Sequence, residues 1–333
     1  MYAPSLDVVG VGNAIVDVIA QADDAFLAAH SIAKGGMELI DEGRAKSIYD
    51  AMAPGVEISG GSAANSIACV ASLGGKGAFI GKVSKDNLGD IFRHDLKALG
   101  VHYETAPLEK GPGTARCLIN VTPDAQRSMT TYLGSAGHVS PADIDEATIA
   151  RSAITFFEGY LFEQPVAREA FVKACRIAKQ KGRKAALTLS DASCVDRQQT
   201  ALIAFAKAHV DVLLANEREA EVLFQSNRLD EIARKARTLC PLVAVTMSEK
   251  GSILIPRDGD SVRVEPARPD RLIDTTGAGD AYAAGLLYGL ALGLSLERCG
   301  ALGSIAAAEV ISHFGARPQM NLRTLAVEAG ILS

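Results

Sequence analysis

The chain has 333 residues, 48% of them hydrophobic, enough for one large domain or two ordinary ones that fold without covalent staples. A net charge of −5, with no long Lys/Arg run, argues against a nucleic-acid surface and predicts that a small anionic ligand would be held by local features. Six scattered cysteines (Cys69, Cys117, Cys175, Cys194, Cys240 and Cys299), with no CxxC pair or histidine at zinc spacing, read as reduced core thiols of a cytoplasmic protein.

The chain runs almost directly into LDVVGVG (6–12), an apolar strand with no basic region or small-residue cleavage site before it, so no signal peptide is expected. A helix over 65–73, a strand over 77–83 and a helix over 88–99 follow. Residues 37–41 (MELID) look extended. Residues 114–121 and 128–133 read as two short strands joined by TPDAQR, a β-hairpin outside the main rhythm. That rhythm resumes with strands at 153–159, 185–190 and 210–215 and helices at 166–181 and 199–208. Strands at 242–248 and 252–256, a helix from 281 and a last helix over 296–314 complete it. Repeated βα units with continuous apolar strands imply a parallel sheet covered by helices on both faces. The longest uncharged apolar stretch, 281–296, is shorter than the roughly 20 residues of a membrane span and broken by glycine.

GVGN (10–13) invites a dinucleotide reading, but the third glycine of GxGxxG would fall on Ile15, which disfavours a dehydrogenase. No GxxxxGK[ST] loop occurs either. Asp17 reads equally as a loop or capping acid. In ISGGSAANSIACVASLGG (58–75), Gly61 lets backbone approach a ligand while Ser62 and Asn65 offer polar groups; the same residues would also serve a plain strand-to-helix turn.

The strongest signal is IDTTGAGDAYAAGLLYGLALG (273–293). A Thr-rich turn feeds Gly277, Ala278 and Gly279, and a long apolar helix begins at about Asp280. Its first N–H groups lack helical partners and form an anion hole, and the Asp280 carboxylate stands where it can take the proton of an attacking hydroxyl. LLANEREAEVL (213–223) supplies Asn216 and Glu219, an amide and a carboxylate able to organise hydrated Mg2+ and ATP phosphates, Glu219 through water. A solvated helix start explains them as well. TMSEKGS (246–252) places Thr246, Ser248 and Gly251 where a nucleotide could lie.

DTTGAGD, GGSAANSIACVASLGG and NERE, in that order, resemble the signatures of the ribokinase-like superfamily, the phosphofructokinase B carbohydrate and nucleoside kinases. The resemblance implies an α/β three-layer sandwich with a central mostly parallel sheet. It also implies a single domain over 1–333, with a small β-lid from about 14–22, 35–42 and 113–134. Within the family the chain is similar to the adenosine kinases in GNAIVDVIAQADDAFL (12–27), SIAKGGMELID (31–41), ALTLSDAS (186–193) and VDVLLANEREAEVLF (210–224).

Carried over by position, Asn13, Asp17, Gly61, Ser62 and Asn65 would hold ribose hydroxyls, and Asp280 would face the 5′ hydroxyl. Tyr160 would stack on the purine, Met37 and Leu39 would form an apolar wall, and Arg127 would reach the ATP phosphates. Arg116 departs from the small residues expected there and suggests a phosphate or different substrate. A sugar kinase and a non-catalytic nucleoside- or sugar-binding protein are the rival functions. A monovalent cation near Asp274 to Thr276, and monomer or homodimer, stay open. No nucleic-acid or membrane partner is expected.

Overall fold

The computed structural model describes residues 4–124 and 126–333. Its strands are β1 (Leu6–Val11), β2 (Ile15–Gln21), β3 (Met37–Leu39), β4 (Val56–Gly60), β5 (Gly77–Ile80), β6 (Ala115–Val121) and β7 (Arg127–Tyr132), then β8 (Ser152–Glu158), β9 (Lys184–Thr188), β10 (Val212–Asn216), β11 (Leu242–Thr246), β12 (Ser252–Pro256) and β13 (Val262–Val264). Eight of them form one sheet in the order β13-β12-β11-β10-β9-β8-β1-β5. It is parallel from β5 to β11 and antiparallel at its β12 and β13 edge.

Alternation along each central strand explains the layers. Val8, Ile154 and Phe156 face one core with the helices Ser62–Ser72 and Ala278–Ala291. Val9, Val11 and Phe157 face a second core with the helix Pro165–Gln180. Strands buried on both faces need apolar residues at consecutive positions, which is why LDVVGV carries no strict polar alternation. The result is the three-layer α/β sandwich expected for a ribokinase-like chain, with a mostly parallel central sheet.

The other five strands form a smaller sheet in the order β3-β7-β6-β2-β4. The hairpin read from the sequence is the β6–β7 pair, with Arg116 opposite Tyr132 and Val121 opposite Arg127. β4 was not legible as a strand, yet it pairs antiparallel with β2 and delivers the chain to Gly61. The helix read from 199 begins at Ala192, because the Asp191 carboxylate caps the amides of Ser193 and Cys194. The last long helix stops at Val310 rather than 314, as the chain turns back and Asp274 accepts the Gly315 amide. No helix among the described residues is long and apolar enough to cross a membrane.

The helix Ala278–Ala291 crosses Leu296–Val310 closely because glycines stand at the contact. A Cβ on Gly285 would lie 2.5 Å from the Leu302 carbonyl oxygen, and one on Gly303 would lie 2.7 Å from that of Tyr282. Gly285→Val is expected to destabilise the fold by about 2–3 kcal/mol, read as a lowered urea midpoint. An unchanged midpoint would mean that the crossing does not depend on bare backbone there.

Candidate active site

The parallel strands of the larger sheet end together. Asn13 just beyond β1, Glu158 at the end of β8, Thr188 of β9, Asn216 of β10 and Thr246 of β11 all line one cleft of about 840 Å3. Such a crevice beyond the carboxyl ends is where open α/β sheets receive ligands. Its opposite wall is the smaller sheet, through Asp17, Met37, Leu39, Cys117, Ile119 and Met129.

At the floor, Gly277 is the N-cap of the helix Ala278–Ala291 with φ +80°, and a Cβ there would strike Ala316 at 2.6 Å. The Ala278 amide is bonded to the Thr275 carbonyl, so it drops out of the anion hole read from the sequence. The amides of Gly277, Gly279 and Asp280 have no acceptor among the described residues and form the cradle instead. Open space surrounds the Gly279 Cα. Helix-end amides and the positive end of the helix dipole favour an anion at this place.

Asp280 is half-buried in the same turn. The Ser62 hydroxyl donates to its Oδ1 at 2.6 Å and the Asn65 amide to its Oδ2 at 3.2 Å. Burial pushes its carboxyl up to about 6, with the Ser62 and Asn65 hydrogen bonds acting against that rise. Asp17, on β2, is likewise raised to about 6 by burial, opposed by the Arg317 and Arg127 charges. At neutral pH both are ionised, two carboxylates in one cleft beside free amides. Such a set can accept a hydroxyl proton and steady a phosphoryl group.

Glu158 escaped the sequence reading. Only 1% exposed, it accepts from the Asn13 amide at 2.8 Å, the Asn13 side chain at 2.6 Å and the Ala63 amide at 2.9 Å. It thereby ties the chain after β1 to the N-terminal turn of the helix Ser62–Ser72, at whose N-cap stands Gly61. Burial pushes its carboxyl up to about 7, with the Ala63 and Asn13 amides opposing. Arg317 was missed as well; it reaches Asn65 from the segment after the last long helix.

Tyr160 lines the cleft from the short helix Gly159–Phe162, as Met37 and Leu39 do from β3. Those last two side chains are 51% and 57% exposed, as suits a cleft open to solvent. Asn216 and Glu219 form a capping box: the Asn216 side chain accepts from the Glu219 amide, while Glu219 accepts from the Asn216 backbone and side-chain nitrogens. Burial pushes Glu219 up to about 7. No cluster of three acidic, His or Cys side chains suited to a metal occurs among the described residues. The Glu219 carboxylate, already engaged by Asn216, is of a kind that could meet the water shell of a Mg2+ ion carried by phosphates.

Thr246 lines the cleft, but Ser248 and Gly251 do not. Both belong to the turn between β11 and β12, and a Cβ on Gly251 would meet the Val264 carbonyl oxygen at 2.1 Å, so this glycine serves packing. Arg127 is not itself a lining residue: it forms an ion pair with Asp274, donates to the hydroxyl of Thr276 at the cleft edge at 3.4 Å, and its guanidinium lies over the Phe314 ring. Asp274 also takes the Thr276 and Gly315 amides, so both its oxygens are engaged in the loop where a monovalent cation was left open. Arg116 lies on the face of β6 opposite Cys117 and Ile119, between the rings of Tyr49 and Tyr132 at 5.7 and 5.6 Å. That position accounts for its departure from small residues without a phosphate or substrate.

The description "pfkB family carbohydrate kinase" matches residues 46–322 of the chain. Among solved structures, a probable sugar kinase from Rhizobium etli CFN 42 is 45% identical, with a TM-score of 0.91, covering 99% of this chain and 100% of that one. An adenosine kinase from Sinorhizobium meliloti is 46% identical, with a TM-score of 0.89, covering 97% and 99%. An adenosine kinase from Saccharomyces cerevisiae is 28% identical over 335 residues, 95% of this chain and 96% of that protein.

Because folding raises Glu158 from 4.5 to about 7, the folded state holds a proton that the unfolded state has released between those values. Its contribution to stability therefore falls as pH rises through that window. Urea midpoints of the wild type are expected to drop between pH 5 and 7.5, and Glu158→Gln to show a shallower drop. Equal slopes would remove Glu158 as a source of the pH dependence.

Proposed function

The chain belongs to the pfkB family of carbohydrate kinases, phosphotransferases with an alcohol acceptor, and from that premise we propose that it phosphorylates the 5′ hydroxyl of a nucleoside, adenosine foremost, with ATP as donor. One observation carries the reading: the cleft that holds the carboxylate and free amides is also lined by an aromatic ring, Tyr160, and by the apolar side chains of Met37, Leu39, Ile119 and Met129. A flat base suits such a lining, and a free sugar has little use for it. The 46% identity to an adenosine kinase supports this acceptor, while the 45% identity to a probable sugar kinase supports the second reading below.

In this reading Asp17, Asn13, Gly61, Ser62 and Asn65 hold the ribose, and the ionised Asp280 takes the proton of the 5′ hydroxyl as it attacks. The amides of Gly277, Gly279 and Asp280 steady the charge on the phosphoryl group during in-line transfer. Asn216, Glu219 and Thr246 border the donor. Magnesium carried in with ATP would neutralise phosphate charge, and Glu219 would meet its water shell. The smaller sheet acts as a lid, about 14–22, 35–42 and 113–134 together with β4, and excludes the water that would otherwise hydrolyse ATP. Arg127 ties that lid to the Asp274–Thr276 loop. The whole chain serves as one kinase domain.

A sugar acceptor is the second reading. Glu163 and Arg197, paired at 2.7 Å, line the cleft with Asp191 and Ser193, a polar wall suited to hydroxyl groups.

Assays of ADP release separate the two, with adenosine expected well above inosine, ribose and fructose. A preference for ribose or fructose would reject the nucleoside. Tyr160→Ala is expected to raise the adenosine KM roughly 5- to 100-fold while sparing that of ATP; equal effects on both would refute stacking. Asp280→Asn should cut kcat by roughly 10² to 10⁴ with nearly normal substrate affinity. In the wild type kcat should fall as pH drops through about 6, where Asp280 takes up its proton. Near-normal turnover of Asp280→Asn would exclude this carboxylate as the base.

A further inference from the structure

Behind the cleft floor, Arg317 donates from Nη1 to the Ser59 hydroxyl at 2.6 Å and from Nε to the Asn65 carbonyl oxygen at 3.3 Å. Asn65 in turn donates to Asp280. An amide side chain has two nearly isosteric ends, and only its partners decide which way it faces. A guanidinium can only donate, so it selects the oxygen of Asn65 and leaves the nitrogen for the carboxylate.

We propose that Arg317 is a positioning residue for phosphoryl transfer: it locks Asn65 in the orientation whose amide donates to Asp280, and so holds the Asp280 carboxylate in place for the acceptor hydroxyl. This rests on the kinase reading of Asp280 but not on the identity of the acceptor.

The arrangement has a chemical reason. Once Asp280 takes a proton, it becomes a donor itself, and an unrestrained Asn65 would gain by turning its oxygen toward it. Arg317 opposes that turn and so favours the ionised carboxylate. The guanidinium also acts on Asp17, whose carboxyl its charge holds down against burial. Its Nη2 is buried without a hydrogen-bond partner, and Asp17, Asp95 and Cys69 are the groups that act on its charge. The other titratable or charged groups that act on the two carboxylates are Glu158, Tyr160, Cys69, Cys117 and Arg127. None of these is placed to orient Asn65.

The test is a double-mutant cycle of Arg317→Met and Asn65→Ala, with kcat and KM followed from pH 5 to 9. Whichever nucleoside or sugar the wild type turns over serves as acceptor. Arg317→Met alone is expected to lower kcat roughly 10- to 100-fold, to leave the ATP KM unchanged and to move the acid limb of kcat to higher pH. In the Asn65→Ala background the same substitution should cost much less, because the side chain it positions is gone. Arg317→Lys keeps the charge but cannot reach Ser59 and Asn65 as a fork, so it should retain the fold, by its urea midpoint, while showing the same upward shift of the acid limb. Additive losses in the cycle, or an acid limb that stays in place in Arg317→Lys, would overturn the positioning role. A wild type inactive on every nucleoside and sugar would instead overturn the kinase reading of the site.

Discussion

A carboxylate proposed as a base inside a cleft has to stay ionised where burial opposes its charge, and at Asp280 that condition rests on hydrogen bonds from a neighbouring helix. Two donors, Ser62 and Asn65, hold its oxygens. Both sit on the first turn of the helix Ser62–Ser72, and that turn is held by Glu158 through the Ala63 amide. Glu158 itself is fixed at the end of β8, whose pairing with β1 and β9 sets its position. A chain of contacts thus runs from the central strand through a buried acid and a helix start to the Asp280 carboxylate. The helix carrying Asp280 is set from the other side by its close glycine crossing with Leu296–Val310.

The two sheets divide the work. Parallel strands bring their carboxyl ends to one edge, so residues remote in sequence, such as Glu158, Asn216 and Thr246, meet there without special design. The smaller sheet supplies the apolar wall and Asp17. Arg127, at the start of β7, joins it to the Asp274–Thr276 loop by an ion pair buried on both sides. Breaking such a pair by removing one partner leaves an uncompensated buried charge, which makes it a firm tie between the sheets.

The fold and the heart of the site were legible because their signals are local. Apolar runs of strand length announced the larger sheet, and DTTGAGD compressed a glycine turn, free amides and an acid into seven residues. Ser62 and Asn65 stood in a similar short string. Glu158 and Arg317 carried no such signal: a single acid after an apolar strand and a single arginine in GARPQ have partners 145 and 252 positions away. Asn216 and Glu219 line the cleft as read, and their NxxE spacing forms a capping box there as well. Ser248 and Gly251 fall outside it because the same string describes a hairpin turn as well as a nucleotide loop. Arg127 looked free for phosphate because its partner Asp274 lies 147 positions on.

The claim at the centre is that Asp280 removes a proton and never becomes phosphorylated, while the cradle amides hold the group in flight between donor and acceptor. Its most direct measurement is the stereochemical course at phosphorus, followed with ATP made chiral at the γ-phosphorus by oxygen isotopes. A single in-line displacement inverts that centre, and inversion is the expected result. Retention would require two displacements through a phosphorylated enzyme, and it would contradict the role of Asp280 as base.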